Sequence, residues 1–298
     1  MRRRWLFAIA LGGCAGAARP GTPEVAAPLS RAADAQLVAI PAGRFIVGST
    51  PEERGAAYDA FLATAGKDVA RRGKWFERED DRHVTEGPAF RIDLTPVTNA
   101  AYAEFVAAGG APAPTMDAAT WQAQGFDQKW PEEVERFVWR DAQPPPERAD
   151  HPVVLVTWAQ ARDYCAWRGR LVGEARRLPT EAEFEKAARG TDGRMFPWGD
   201  EYAADKLDSR VTGPDDTMAV GSFTAGASPF GVLDLAGNVY QWTSTPWPPG
   251  AGPGAAKMTV KGSAWDDWGG LGRGAQRHGR PIGVRHAIVG FRCAADAR

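Results

Sequence analysis

The spacing of apolar and polar residues changes period several times along the chain, and each change marks an element. Val38 to Ser49, with Pro41-Ala42-Gly43 inside it, reads as strand, turn, strand. Residues 51–85 are charged and broken by glycine, which predicts a surface helix followed by a loop. Phe90-Arg91-Ile92-Asp93-Leu94 alternates as a half-buried strand does. Thr98 is placed to cap a helix whose Ala101, Tyr102, Phe105 and Val106 share one face. His151 to Val156 predicts a buried strand. Thr157-Trp158-Ala159-Gln160 and Thr180-Glu181-Ala182-Glu183 have capping-box spacing and open two further helices. The first carries Trp158, Ala161, Cys165 and Trp167; the second runs through Phe184, Lys186, Ala187 and Ala188 until Gly190 stops it. Beyond Gly190 the pattern predicts short turns and little regular structure, closed by one strand over Val289–Ala295. Residues 109–150 show no period but hold Trp121, Trp130, Trp139 and Pro144-Pro145-Pro146. That stretch is too aromatic for a linker, so it is expected to pack on the domain.

Composition narrows the class. The chain has 298 residues, 44% of them apolar, which supports a sizeable core and excludes a disordered or collagen-like chain. Gly 34, Pro 23 and Trp 12 favour a compact, loop-rich domain over a helical bundle. With 36 basic against 37 acidic residues the surface carries no broad basic field, so nucleic acid is not an expected partner. No apolar run reaches the roughly 18 residues that a spanning helix needs.

The first residues read as an address. Met1-Arg2-Arg3-Arg4 is a positive start, and Trp5 to Leu11 is a short apolar stretch, as in an export signal. Leu11-Gly12-Gly13-Cys14 resembles the lipobox of bacterial lipoproteins, with Cys14 as the lipidated residue. The expected organisation is a lipoprotein signal peptide over residues 1–14, a flexible Ala/Pro/Gly-rich tether over 15–36 and one domain over 37–298. Ala15 follows the cysteine, with no Asp there to retain the protein at an inner membrane. The expected location is therefore the periplasm or cell surface, anchored by lipid alone, at the outer membrane. With Cys14 assigned to lipid, Cys165 and Cys293 remain, either as one disulfide or as two buried thiols. A bridge between them would contribute on the order of 4 kcal/mol by closing so long a loop.

Taken together, the blocks along the chain carry a resemblance. They are Ile40-Pro41-Ala42-Gly43 with Gly48; Thr95-Pro96-Val97-Thr98-Asn99; His151-Pro152-Val153; and Arg177-Leu178-Pro179-Thr180-Glu181-Ala182-Glu183-Phe184-Glu185. Phe196-Pro197-Trp198-Gly199, Gly231 to Val239 and Gly290-Phe291-Arg292-Cys293-Ala294-Ala295 follow in order. Each block alone is weak, but in this order, from about residue 37 to the end, they resemble the formylglycine-generating enzyme (sulfatase-modifying factor) family. The resemblance implies an α+β fold with low regular secondary structure: the formylglycine-generating-enzyme fold, related to C-type lectins, as a single compact domain. It implies a Cys165–Cys293 disulfide. It also implies structural calcium, held by Asp234 and Gln241 side chains with Gly237 and Val239 carbonyls, and at a second site by Asp208, Ser209 and Asp216.

One departure matters most. The family oxidises a sulfatase cysteine to formylglycine with O₂ and copper, and thiolate is the soft ligand that selects Cu(I). The family's two cysteines follow a Gly-Ser pair, here Gly262-Ser263, and would fall at Asp266 and near Leu271. Neither position holds Cys, so copper is not an expected cofactor, and formylglycine formation is not an expected activity. The stretch still looks like a site, with Ser263, Trp265, Asp266, Asp267, Arg277, His278 and His286 as pocket candidates. His278, His286 and Asp266 or Asp267 form a two-His-one-carboxylate set that suits Fe(II), which makes iron the second cofactor candidate. The opposing reading is a network in which the aspartates pair with nearby arginines. Trp265 and Trp268 could instead stack on a glycan, or could be core. The first functional expectation is thus a binding or scaffold lipoprotein whose partner is an envelope protein or a glycan. The second is a redirected nonhaem-metal oxidoreductase acting on a secreted metabolite or protein, and the third a true formylglycine generator.

Overall fold

The structure, a computed structural model, describes residues 36–248 and 256–298. Cys14, the signal segment and nearly all of the tether lie outside the described residues. The first sheet contains β1 (Leu37–Ile40), β4 (Phe90–Asp93), β5 (Arg176–Arg177) and β10 (Ala294–Asp296), in the order β1-β4-β10-β5. A hairpin pairs β2 (Gly43–Val47) with β3 (His83–Gly87). The third sheet has the order β8-β7-β6-β9, from β6 (Tyr240–Pro246), β7 (Lys257–Lys261), β8 (Arg277–Pro281) and β9 (Val289–Phe291).

The capped helices form where their sequences place them. α1 (Pro51–Ala65) starts at a Thr50–Glu53 capping box, and the short α2 (Val69–Arg72) follows. α3 (Asn99–Ala107) is capped by Thr98, whose hydroxyl accepts from the Ala101 N–H. α4 (Ala118–Ala123) is capped by Asp117. α5 (Trp158–Leu171) and α6 (Glu181–Arg189) begin at the Thr157–Gln160 and Thr180–Glu183 boxes. Each box satisfies two backbone N–H groups that the first helical turn leaves unpaired. α6 ends where Gly190 turns to a φ of 68°, a value that costs glycine little.

Three expectations are corrected. His151–Val156 is buried but forms no ladder; it makes one bridge, Pro152 to Thr98. Pro152 has no N–H to give, and Leu155 turns to a φ of 59°, so the segment cannot run straight beside a neighbour. The region after Gly190 contains the whole β6-β7-β8 hairpin system. The first four residues of β6 and most of β7 are buried on both faces, which removes the alternation that marks a strand in sequence. The closing strand is two strands. β9 runs parallel to β6, and β10 pairs with β4 and β5 in a different sheet. The chain changes sheet at Arg292-Cys293, where the Cys293 N–H donates to Asp93 Oδ2 at 2.7 Å.

The main core joins α3, α5, the 109–150 stretch and the third sheet, with Tyr102, Trp121, Trp139, Tyr164, Trp242, Trp265 and Phe291 at its centre. Residues 109–150 therefore pack on the domain, as their tryptophans require. Cys165 of α5 and Cys293 between β9 and β10 are joined by a disulfide that ties this core to the first sheet. No helix among the described residues is long and apolar enough to cross a membrane.

Candidate functional site

The residues that follow Ser263 form the floor of a cleft of about 410 Å³. Asp266, Asp267, Trp268 and Leu271 line it from below. α1 supplies Phe61 and Ala65, the turn after it Lys67, α2 Val69, and the segment beyond α2 Trp75. Asp127, Gln128, Glu133 and Arg210 close the other side. α1 is thus more than a surface helix: Ala57, Tyr58 and Phe61 share its buried face and pack with Leu271 and Phe76. Gly270 lets the floor approach α1, since a Cβ there would stand 2.3 Å from the Ala57 carbonyl oxygen.

The positions where the resemblance places the cysteine pair, Asp266 and Leu271, line the same cleft. No cysteine lines it. Asp266 Oδ2 accepts from Gln128 Nε2 at 2.7 Å, across 138 residues of sequence. Asp266 Oδ1 and Gln128 Oε1 are buried with no hydrogen-bond partner. Asp267 Oδ2 accepts from the Ala264 N–H at 2.9 Å, and the Tyr240 hydroxyl bonds the same carboxylate. Burial holds both carboxyl groups above their ordinary range. The Gln128 bond opposes this at Asp266, and neighbouring Asp266 adds to it at Asp267.

The other sequence candidates separate. Trp265 is fully buried, stacked near Phe137 with Arg136 5.1 Å from its ring centre, so it is core and offers no stacking face. Of the two sequence candidates it is Trp268 that reaches the cleft, beside Trp75. Ser263 is buried, and its Oγ accepts from the Gly237 N–H at 2.7 Å. Arg277 bonds Asp80 and Glu181 at 2.8 and 2.7 Å. His278 sits edge-on to Tyr240, 5.3 Å between centres, and is held down at about 3 by burial and by Arg280 and Arg78. His286 is buried 3.9 Å from Phe126 and edge-on to Trp121, and burial holds it well below its usual value. Among the described residues no group of three or more His, Cys, Asp or Glu gathers as a metal set. The two-His-one-carboxylate arrangement is therefore not assembled, because each histidine is taken up by aromatic packing.

The calcium candidates divide as well. At the first site the donors face the wrong way. Arg292 has only N–H groups to offer, and its Nε donates to Gln241 Oε1. That fixes the amide, so Gln241 Nε2 donates to the Asp234 and Val239 carbonyls at 2.7 and 3.4 Å. Arg292 Nη2 also donates to the Asp234 carbonyl at 2.8 Å, and Asp234 Oδ2 accepts from the Gly221 N–H at 2.7 Å. N–H donors cannot coordinate Ca²⁺, which takes oxygen ligands. Asp234, Gly237, Val239 and Gln241 therefore do not fit a calcium ion as they stand. Gln241→Glu is expected to restore an acceptor there and give a calcium-dependent rise in Tm of about 2–4 °C, retained in an Asp208→Asn background. A thermal shift unchanged by calcium in that variant would contradict this reading.

The second site differs. Asp208 is buried, and neither carboxylate oxygen has a hydrogen-bond partner. Burial, with Asp216 and Asp234 nearby, raises it to about 8. An orphaned buried carboxylate beside other acids is what a cation would satisfy. Asp216 is shared with Arg148, which bonds both of its oxygens, and the Ser209 carbonyl already accepts from Gly213 N–H at 2.7 Å. Asp208 fits a cation, and its two companions are only partly free to join it.

Sequence reading missed the cleft's far wall. Gln128, Phe61, Trp75 and Arg210 reach Asp266 only through tertiary contacts. The one available signal was the aromatic density of residues 109–150, which showed that the stretch must pack somewhere.

Small sheets, capped helices and a loop-lined cleft, with the Gly-Phe-Arg-Cys segment bridged to α5, define a domain of the formylglycine-generating type. The chain belongs to the sulfatase-modifying factor enzyme 1-like domain family, whose pattern matches residues 22–297. It is 31% identical over 307 residues to the inactive C-alpha-formylglycine-generating enzyme 2 of Mus musculus, covering 90% of this chain and 88% of that one. It is 32% identical over 200 residues to the hercynine oxygenase of Mycolicibacterium smegmatis, covering 61% of this chain and 44% of that one. The solved structure of PvdO from Pseudomonas aeruginosa shares the fold, with a TM-score of 0.59 at 23% identity over 88% of this chain and 94% of that chain.

Proposed function

We propose that this protein is an exported family member that does not form formylglycine and uses the family's cleft to bind a ligand at the cell envelope. The observation that carries the reading is the identity of two cleft residues, Asp266 and Leu271, at the positions of the cysteine pair. A carboxylate is a hard ligand and leucine is none, so the cleft offers Cu(I) no thiolate pair. Cys165 and Cys293 are joined to each other. That leaves Cys14, which this reading assigns to lipid. The anchor would hold the protein in the periplasm or on the cell surface, at the outer membrane, with residues 15–36 as its tether. The partner is an envelope protein or a glycan rather than a nucleic acid, and Phe61, Trp75 and Trp268 are the aromatic side chains in its cleft. Structural calcium is proposed at Asp208, supported by its unpartnered carboxylate. Calcium is expected to raise the Tm of the unaltered protein, and Asp208→Asn is expected to abolish that rise. No shift in either protein would remove the ion from the account.

The similarity to a hercynine oxygenase favours a second reading, a redirected oxidoreductase with iron at His278, His286 and Asp266 or Asp267. The separate packing of the two histidines weighs against it. Elemental analysis of the domain purified without chelators separates the two. The binding reading predicts no stoichiometric iron or copper. Iron at one per chain, lost in His278→Ala, would favour the oxidoreductase.

A further inference from the structure

We infer that the cleft takes a primary ammonium group carried on an apolar body, with Asp266 and Gln128 as its acceptors. This deepens the binding reading above and rests on it. Two features of the cleft point there independently.

The first is unmet hydrogen bonding. Asp266 and Gln128 touch through one bond, from Gln128 Nε2 to Asp266 Oδ2 at 2.7 Å. Asp266 Oδ1 and Gln128 Oε1 are shut off from water and receive nothing. A buried acceptor without a donor costs roughly 1–3 kcal/mol, more when it is charged. Both residues line the cleft, so an occupant that turned the Gln128 side chain aside would reach and serve both acceptors. In the present structure the Gln128 amide nitrogen donates to Asp266 from across the cleft. An ammonium group carries three N–H donors. Rotation of the Gln128 side chain would release Asp266 Oδ2 and turn Oε1 inward. One ammonium group could then serve Asp266 Oδ1, Asp266 Oδ2 and Gln128 Oε1 together.

The second is the rest of the lining. Asp127, Glu133, Asp266 and Asp267 face Lys67 and Arg210, so acids outnumber bases. Arg210 is already engaged, at 3.4 Å from Asp215 and 4.0 Å from Glu133, and lies 5.9 Å from the Trp268 ring centre. Arg210 also acts on Asp266, and Arg280 acts on both Asp266 and Asp267 from outside the cleft, so the two partly offset the acids' charge. Part of the wall is apolar: Phe61 and Trp75 meet edge to face at 5.5 Å, with Leu271 and Trp268 beside them. Aromatic faces attract a cation and also accept an apolar body. A cleft of about 410 Å³ suits a small amine or one lysine side chain.

Counting donors separates this from a general attraction to cations. A quaternary ammonium has the charge but no N–H. The test is calorimetric titration of the folded domain with phenethylammonium, with its N,N,N-trimethyl analogue and with 3-phenylpropionate. A peptide, acetyl-Ala-Lys-Ala-amide, is titrated beside them. Phenethylammonium is expected to bind at least about tenfold tighter than the trimethyl analogue, since N–H donors to two buried acceptors are lost with the methyl groups. 3-Phenylpropionate is expected not to bind. Asp266→Asn and Gln128→Leu are each expected to weaken phenethylammonium by about tenfold or more with Tm and near-ultraviolet dichroism unchanged. If Asp266→Asn does not fold, Gln128→Leu carries the test, because Gln128 is only half-buried, between exposed Asp127 and Lys129. Tighter binding of the peptide than of phenethylammonium would assign the group to a protein partner, and the reverse to a free amine.

Equal affinity for the primary and quaternary amines would overturn the proposal, because the acceptors would then play no part. So would the absence of heat from phenethylammonium up to about 10 mM, where even a millimolar site is largely filled. Failure of this kind is distinguishable from failure of the binding reading, which falls on stoichiometric redox metal or on formylglycine formation.

Discussion

Glu185→Ala is expected to destabilise the folded chain by about 3–5 kcal/mol, the cost of leaving buried charge uncompensated. Glu185 lies on α6, 4% exposed, within the Arg177–Glu185 motif. Its Oε1 accepts from the Gly48 N–H at 2.8 Å and from Arg189 Nη1 at 2.7 Å, and its Oε2 accepts from Lys261 Nζ at 2.9 Å. Burial pushes this carboxyl up, but Lys261 and Arg189 outweigh it and hold it below its usual range. Lys261 is fully buried on β7, and its other acid, Glu181, stands 3.7 Å away and is shared with Arg277. Removing Glu185 would therefore strand a buried ammonium and free the Gly48 turn from α6. Urea unfolding reads the effect as a lower midpoint at unchanged slope. Glu185→Gln keeps the shape and one acceptor and is expected to cost less. A loss below about 1 kcal/mol in Glu185→Ala would show that the network is solvated rather than buried.

Replacing both Cys165 and Cys293 with Ala is expected to cost about 4–5 kcal/mol on the chain-entropy account, for a closed loop of 128 residues. Both sulfurs sit in the main core, at 0% and 1% exposure, so alanine also leaves a small cavity there. Thermal unfolding should fall by roughly 10 °C. Reduction of the unaltered protein should give the same loss, and the double variant should be indifferent to reductant. A double variant as stable as the parent would show that the bridge stabilises nothing beyond ordinary packing.

How much was legible beforehand follows from where the controlling physics lies. Capping boxes are local, and the Thr157 and Thr180 boxes open helices at the residues their spacing marks. The family resemblance rests on blocks with fixed order, and the family match covers them. Strands buried on both faces leave no alternation, which is why Tyr240–Pro246 and Lys257–Lys261 were not read as a sheet. Arg292 decides the first calcium candidate, and its reach to Gln241 spans 51 residues of sequence. Spacing within the Gly231–Trp242 block could not reveal a guanidinium arriving from the end of the chain. The same holds for Gln128 over Asp266. The reading that neither cysteine position of the resemblance holds Cys, by contrast, needs only the offset from Gly262-Ser263.

The central claim is that the cleft has kept its place in the fold and lost its copper chemistry. The most direct measurement incubates the domain with Cu(I), O₂, a reducing agent and a cysteine-containing peptide that a formylglycine-generating enzyme of the same family accepts, and follows the peptide mass. The account predicts an unchanged peptide cysteine, at a copper content no higher than that of Asp266→Ala. Conversion of the cysteine to formylglycine, lost in Asp266→Ala, would contradict it.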